Sequence, residues 1–294
     1  MGGIRLIVIK ITDGLGNQMF QYAYARALQI KLSQKIYLDI SDINNLQNEQ
    51  ARKSGWVELC DKREYQLDRF MIALPVICTE KLPKRNMEAY KKNKFLRYCE
   101  ELRLMPTVFL KERDCREKGM RYKKYQHYYV EGSFFDKSYY EDIGSILRQD
   151  FQLKKGLCIP DEIDQILKNR NTVSIHIRRG DFLRVGRDMS TDDYYNEAIR
   201  YMKDKIRAPF LFIFSDDITW VQNNMKFDLD HMIISGQGFT DSEEIALMSM
   251  CKNNIIANST FSYWGAWLNF NKDKIVISPR GWRQKIIPDT WVQL

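Results

Sequence analysis

Val173-Ser174-Ile175-His176-Ile177-Arg178-Arg179-Gly180-Asp181 alternates β-branched apolar residues with Ser174 and His176, then turns abruptly charged before Gly180 lets the chain bend. The pattern predicts a buried strand over 173–177 that delivers His176, Arg178, Arg179 and Asp181 to its C-terminal end. Open α/β sheets bind ligands at that edge. Adjacent guanidiniums there suit a diphosphate, because each presents a planar fork of N–H donors. The competing reading is a surface turn whose arginines are solvated or paired with carboxylates. His and Gly-Asp beside the pair, at a strand end, favour a site.

Downstream, strands are expected at 210–214, 231–235, 255–257 and 274–278. Helices are expected from near Thr191, over 218–224, over 242–250 with Ser242 as cap and Glu243 and Glu244 in its first turn, and over 263–269. Upstream, residues 4–11 read as a first strand, Asp13-Gly14-Leu15-Gly16-Asn17-Gln18 as the turn after it, and 19–32 as a helix. A second strand at 36–40, a polar loop, a short strand at 128–132 and a helix at 134–148 follow. Lys154-Lys155-Gly156 and Pro160 interrupt the pattern, which puts a boundary between a domain at 1–155 and one at 156–294. The βαβα alternation in both halves predicts an α/β fold of two Rossmann-like doubly wound domains facing a cleft.

Composition narrows the function classes. With 44% hydrophobic and 13% aromatic residues in 294, the chain can bury a core without staples, which excludes disorder. The longest apolar run, Ala208 to Phe214, is far short of a membrane span, and the first residues lack the pattern of a signal peptide. Cytoplasmic residence is the expectation. The six cysteines form no CxxC and have no histidine beside any pair, so neither a zinc site nor a disulfide scaffold is expected. The net charge of +8 is local: residues 81–124, read as mostly helical, hold 15 Lys/Arg against 6 Asp/Glu. That segment is a solvated face, an anionic-membrane contact at the inner face of the plasma membrane, or an RNA contact. It lacks the signatures of RNA-binding sheets, zinc fingers and basic zippers, so no nucleic-acid partner is expected.

Three loops of the second half fall at strand C-termini: His176 to Asp181, Ser215 to Asp217 and Asn258 to Ser262. Ser259 and Thr260, with the helix start behind them, offer donors to phosphate oxygens. Asp216 or Asp217 can accept from the ring N–H and amino group of guanine. In the first half, Gly14 and Gly16 allow close backbone approach to a ligand, and Asn17 either faces that ligand or is an ordinary helix cap. Together these loops describe a nucleotide-diphosphate pocket without a P-loop, because no GxxxxGK[ST] is present.

Gly14-Leu15-Gly16-Asn17-Gln18-Met19-Phe20-Gln21-Tyr22-Ala23, the His-Ile-Arg-Arg-Gly-Asp stretch, Phe214-Ser215-Asp216-Asp217 followed by Trp220, and the run from Ile256 to Leu268 closely resemble the motifs of glycosyltransferase family 11, the α-1,2-fucosyltransferases. The matches keep the family's order from residue 14 to residue 268. Three positions depart from it: Asp13 stands where a glycine is usual, Tyr263 where a tryptophan is usual, and Phe134-Phe135-Asp136 where a Phe-Gln pair is common.

The resemblance implies a GT-B-like fold, GDP-β-L-fucose as donor, and inverting transfer to O2 of a terminal galactose on a glycan such as an O-antigen or lipopolysaccharide unit, which could be lipid-linked. Carried over, Arg178 contacts the β-phosphate and Arg179 shapes the same pocket. Asp216 or Asp217 holds guanine, Ser259, Thr260 and Phe261 line the phosphates and base, and Asn17 faces the fucose or its diphosphate. A fixed cation at the β-phosphate stabilises the departing GDP, so no metal and no cofactor beyond the donor are expected. The acceptor proton goes to Asp181 as first candidate, unless Asp181 is instead a salt-bridge partner of the arginines; Asp188 and Asp13 are reserves. His176 orients the phosphates or is a satisfied strand-end histidine. The rivals are a metal-dependent transferase using Asp228-Leu229-Asp230 and an RNA- or membrane-surface-binding protein using 81–124.

Overall fold

A computed structural model describes residues 6–41, 43, 63–77, 94, 98–99, 102, 104–115, 126–180 and 191–294. Asp181, Asp188, the loop 182–190 and most of the basic segment lie outside the described residues. The chain folds as two parallel sheets with helices packed on them, the α/β arrangement expected.

The first sheet holds β1 (Ile7–Lys10), β2 (Ile36–Asp39), β3 (Thr107–Lys111) and β4 (His127–Glu131) in the order β2-β1-β4-β3. The second holds β5 (Asn171–Ile177), β6 (Pro209–Ser215), β7 (His231–Ile233), β8 (Asn253–Ile255), β9 (Val276–Ser278) and β10 (Val292–Gln293) in the order β10-β9-β8-β5-β6-β7. Every pairing is parallel. Helices cover both faces of such sheets, so central strands read as continuous apolar runs; all seven residues of β6 are buried.

The α-helices bounded within the described residues are α1 (Leu15–Leu32), α2 (Glu112–Cys115), α3 (Gly144–Asp150), α4 (Asp161–Asn169), α5 (Asp192–Lys205), α6 (Ile218–Asn224), α7 (Asp241–Met250) and α8 (Thr260–Leu268). After α3 the chain bridges back to the first half, where Phe70 pairs with Leu153. In α4, Ile163 and Leu167 pack instead with Phe210, Phe212 and Phe214 of β6.

Several elements differ from the sequence reading. The first helix starts at Leu15 with Gly14 as its cap, so Asn17 lies inside the first turn and is not the cap. The last helix starts at Thr260 with Ser259 as cap, so Thr260 and Phe261 are helical. Thr240, not Ser242, caps α7: its N–H donates to Glu243 Oε2 at 2.8 Å, as in a capping box. Residues 134–148 are not one helix but two single 3₁₀ turns, Lys137–Tyr139 and Glu141–Ile143, followed by α3. The described part of the basic segment contains a strand, β3, paired along its length with β4.

The sheets are joined by a continuous apolar core rather than separated everywhere by a cleft. α8, which follows a strand of the second sheet, lies against α1 of the first, and Phe20, Tyr140, Tyr263 and Trp264 stack together between them. Tyr263 meets Tyr140 through their hydroxyls at 2.9 Å and donates to the Ile286 carbonyl at 3.1 Å, so a tyrosine in the usual tryptophan position is fully satisfied in the core. Phe134, at another unusual position, stacks flat on Tyr24 with centroids 3.9 Å apart.

Candidate active site

The register of the second sheet brings the predicted loops to one edge. β5 lies between β6 and β8, with Ile177 level with Ser215 and Ile175 level with Ile255. The turns that follow, 178–180, 216–217 and 258–260, are therefore neighbours at the C-terminal ends of their strands.

Arg178 Nη1 lies 3.0 Å from Asp216 Oδ2, with the two side chains only 16% and 18% exposed. The other oxygen, Asp216 Oδ1, accepts from the Arg179 N–H at 2.9 Å. Gly180 makes this packing possible, since a Cβ there would collide with the same carboxylate. Asp216 thus fixes the aim of Arg178, and both its oxygens are engaged. Asp217 caps α6 by accepting from the Trp220 N–H at 3.0 Å, and its own N–H donates to Ser215 Oγ. The Arg179 guanidinium lies over the Trp220 ring, 3.3 Å from its centroid. Trp220, noticed as part of a motif, therefore has a definite role as the plate on which Arg179 rests.

His176 is buried at 3% exposure, with its ring 5.4 Å from that of Phe261 and no hydrogen-bond partner at Nδ1. Burial foremost, and the nearby charge of Arg178, hold its pKa down to about 3, so the imidazole is neutral at ordinary pH. The unfolded chain takes up this proton near pH 6.5, so the folded state loses stability as pH falls from there toward 3. A His176→Phe variant is expected to show a flatter dependence of unfolding free energy on pH between about pH 4 and 6. Urea melts across that range test this, and an unchanged slope would contradict it.

The first half contributes a second helix start. α1 begins just after its cap Gly14, and Asn17 Oδ1 accepts from Thr260 Oγ1 at 2.8 Å. The N-termini of α1 and α8 therefore meet, and their partial positive charges add at the same place. Gly16 belongs to that meeting. Its Cα faces the Thr260–Phe261 backbone, where a Cβ would lie 2.5 Å from Phe261 N, and its carbonyl accepts from Trp264 Nε1 at 3.0 Å. Asp13 has φ 66°, a left-handed conformation that glycine favours and aspartate tolerates, which accounts for both the usual glycine and this substitution. Gln18 holds the turn by donating to the Asp13 and Glu64 carbonyls.

Arg63 was not found from sequence. Its guanidinium would lie 3.5 Å from a Cβ at Gly14, beside the start of α1, and nothing local in a loop 49 positions away signals that contact. Across the same opening, Gln66 Nε2 donates to Asp241 Oδ2 of α7 at 2.8 Å. The Asp228-Leu229-Asp230 stretch lies before β7, with Asp228 paired to Lys203 and Asp230 to Arg170, so both carboxylates serve surface ion pairs. The arrangement as a whole is a polar, cation-rich corner made by two helix N-termini and Arg178, suited to an anionic ligand.

Comparison with known proteins agrees with the motifs. The sequence model of Glycosyl transferase family 11 matches residues 6–286. The chain belongs to this family. It is 33% identical to the O-antigen biosynthesis glycosyltransferase WbnK of Escherichia coli, over 97% of this chain and 99% of the relative. It is 29% identical to an Escherichia coli alpha-1,2-colitosyltransferase, over 98% and 99%. Among solved structures, a GDP complex of a point mutant of Arabidopsis thaliana FUT1 aligns with a TM-score of 0.50 at 12% identity, covering 94% of this chain and 70% of the other. The fold is GT-B, and the protein is a glycosyltransferase. No helix among the described residues is long and apolar enough to cross a membrane.

Proposed function

We propose that this glycosyltransferase transfers L-fucose from GDP-β-L-fucose to O2 of a terminal galactose, with inversion and without a metal ion, as a galactoside α-1,2-fucosyltransferase acting on a surface polysaccharide unit. The observation that carries the reading is the meeting of α1 and α8 at Asn17 and Thr260 beside an Arg178 aimed by Asp216. As the acceptor oxygen attacks the anomeric carbon, the bond to the β-phosphate oxygen breaks and negative charge grows on GDP. Arg178 and the two helix starts oppose that charge without reorganising, which lowers the transition state more than the ground state. Ser259, Thr260 and Phe261 line the phosphates and base, Asn17 faces the sugar side, and neutral His176 packs behind Phe261.

Asp216 acts as the group that positions Arg178. Of the two aspartates, Asp217 retains an oxygen, Oδ2, that no described residue engages, which suits it better to guanine. The acceptor proton passes to Asp181, with Asp13, on the rim between β1 and α1, as the alternative base. The relative named as a colitosyltransferase makes a colitosyl donor the second reading.

The test is a donor and acceptor screen with purified protein, with linkage analysis of the product. Fucosyl transfer from GDP-fucose to O2 of a β-galactoside, undiminished by excess EDTA, is the expected result. A product formed only from a colitosyl donor would overturn the donor assignment, and loss of turnover in EDTA rescued by manganese would overturn the metal-free mechanism.

A further inference from the structure

The turn that carries Asp216 is itself held from behind. Ser215, buried at the end of β6, donates its N–H to Ser235 Oγ at 3.0 Å, and Ser235 is buried two residues beyond the end of β7. The chain after Ser235 packs on the start of α6: Gly236 has φ 86°, and a Cβ there would come within 2.7 Å of Ile218 Cδ1. The connection between β7 and α7 therefore braces the Ser215–Asp217 turn, whose Asp216 aims Arg178.

Ser235 has one hydroxyl hydrogen, and it goes to the carboxylate of Glu244 near the start of α7. With that hydrogen committed, the lone pairs of Ser235 are left for the Ser215 N–H. The helix dipole accounts for carboxylates at this helix start, but Asp241 and Glu243 already supply them. Glu244 is instead turned inward, with no ion-pair partner among the described residues, and the charge that faces it, Asp241 of its own helix, has the same sign. Burial foremost pushes its pKa up to about 7, with Asp241 adding to the rise and the bond from Ser235 opposing it. Helix stability does not explain a carboxylate kept in so costly a place.

We propose that Glu244 is a positioning residue for the transfer reaction: its carboxylate orients the Ser235 hydroxyl, the hydroxyl holds the Ser215 N–H, and the turn so fixed sets Asp216 and through it Arg178. Protonation reverses the first link. The acid form donates to Ser235 Oγ and competes with the Ser215 N–H for its lone pairs, so the aim of Arg178 loosens as pH falls through the neutral range. The inference rests on the reading of Arg178 as the group that faces the leaving nucleotide.

Two measurements test it, and the first needs no donor. Amide exchange at Ser215, followed by NMR on the full chain at about pH 8, is expected to quicken about tenfold in Glu244→Ala and in Ser235→Ala, the worth of one hydrogen bond. In Glu244→Gln, whose amide oxygen still accepts from Ser235, it should stay within about twofold. Unchanged exchange in both alanine variants would overturn the proposal. The second measurement compares kcat of Glu244→Gln with that of the parent from about pH 5.5 to 8.5, using GDP-fucose and lactose, or a colitosyl donor should the parent use that instead. The ratio of variant to parent cancels the titration of the general base. It is expected to rise about tenfold toward the acid end, around a midpoint near 7, with the KM for donor little changed. A flat ratio in an enzyme that Arg178→Ala disables would overturn the proposal and leave the reading of Arg178 intact. Near-normal turnover in Arg178→Ala would remove that reading and the inference with it.

Discussion

Arg178→Ala is expected to lower turnover by about 10²–10³-fold, the usual consequence of removing one preorganised group that faces charge developing in a transition state. On the proposed reaction the effect should fall on kcat at least as strongly as on KM, because the charge on the departing GDP would be larger in the transition state than in the bound donor. Arg178→Lys keeps the charge but loses the planar fork that can hold Asp216 and the proposed phosphate together, so an intermediate loss is expected. Removing the arginine also leaves the Asp216 carboxylate in a largely enclosed place without its cation, and some loss of stability should follow. The double variant Arg178→Ala with Asp216→Asn separates the two effects: thermal stability should recover while turnover stays low. Asp216→Asn alone should keep the nucleotide site but loosen the aim of Arg178, reducing kcat with little change in the KM for donor. Near-normal turnover in Arg178→Ala would remove the electrostatic mechanism.

Much of this site was legible because its parts lie at strand ends, where alternation of apolar residues stops abruptly. The strand 173–177 and the turn after it, the Ser215–Asp217 turn and the start of a helix near Thr191 are where the pattern put them. The helix starts were not. Residues 15–18 and 260–262 carry Gly, Asn, Ser and Thr, which locally favour turns, and they are helical because each helix end is packed on the other. β3 was missed because Thr107–Lys111 is a five-residue strand inside a strongly charged segment, and its pairing to β4 is a tertiary fact. Arg63 and the Asp216–Arg178 pair depend on contacts between residues far apart in sequence, which periodicity does not record. The guanine reading of Asp216 failed to anticipate that pairing because an aspartate after a strand looks the same in sequence whichever partner it has.

The same helix contact yields the second large effect. Gly16→Ala places a methyl group 2.5 Å from Phe261 N and the Thr260 carbonyl carbon, and 2.7 Å from the Thr260 oxygen. All three are backbone atoms at the start of α8, so no side chain can swing aside, and one helix must move. Overpacking of this kind costs about 1–3 kcal/mol, roughly 2–12 °C in melting temperature for a domain of this size. The displacement acts where Asn17 meets Thr260 and where Trp264 Nε1 meets the Gly16 carbonyl. Both helix N-termini would therefore shift relative to Arg178, and a misplacement near 1 Å costs on the order of 10²-fold in rate. Gly14 offers the control. The nearest atoms to a Cβ there belong to the Arg63 side chain, at an ordinary 3.5 Å, so Gly14→Ala should melt within a few degrees of the parent. Thermal melts and donor turnover measured on both variants decide the matter. If Gly14→Ala proves the more damaging substitution, the close backbone approach that matters is to a ligand, and the packing of α1 on α8 is not what sets the geometry of the site.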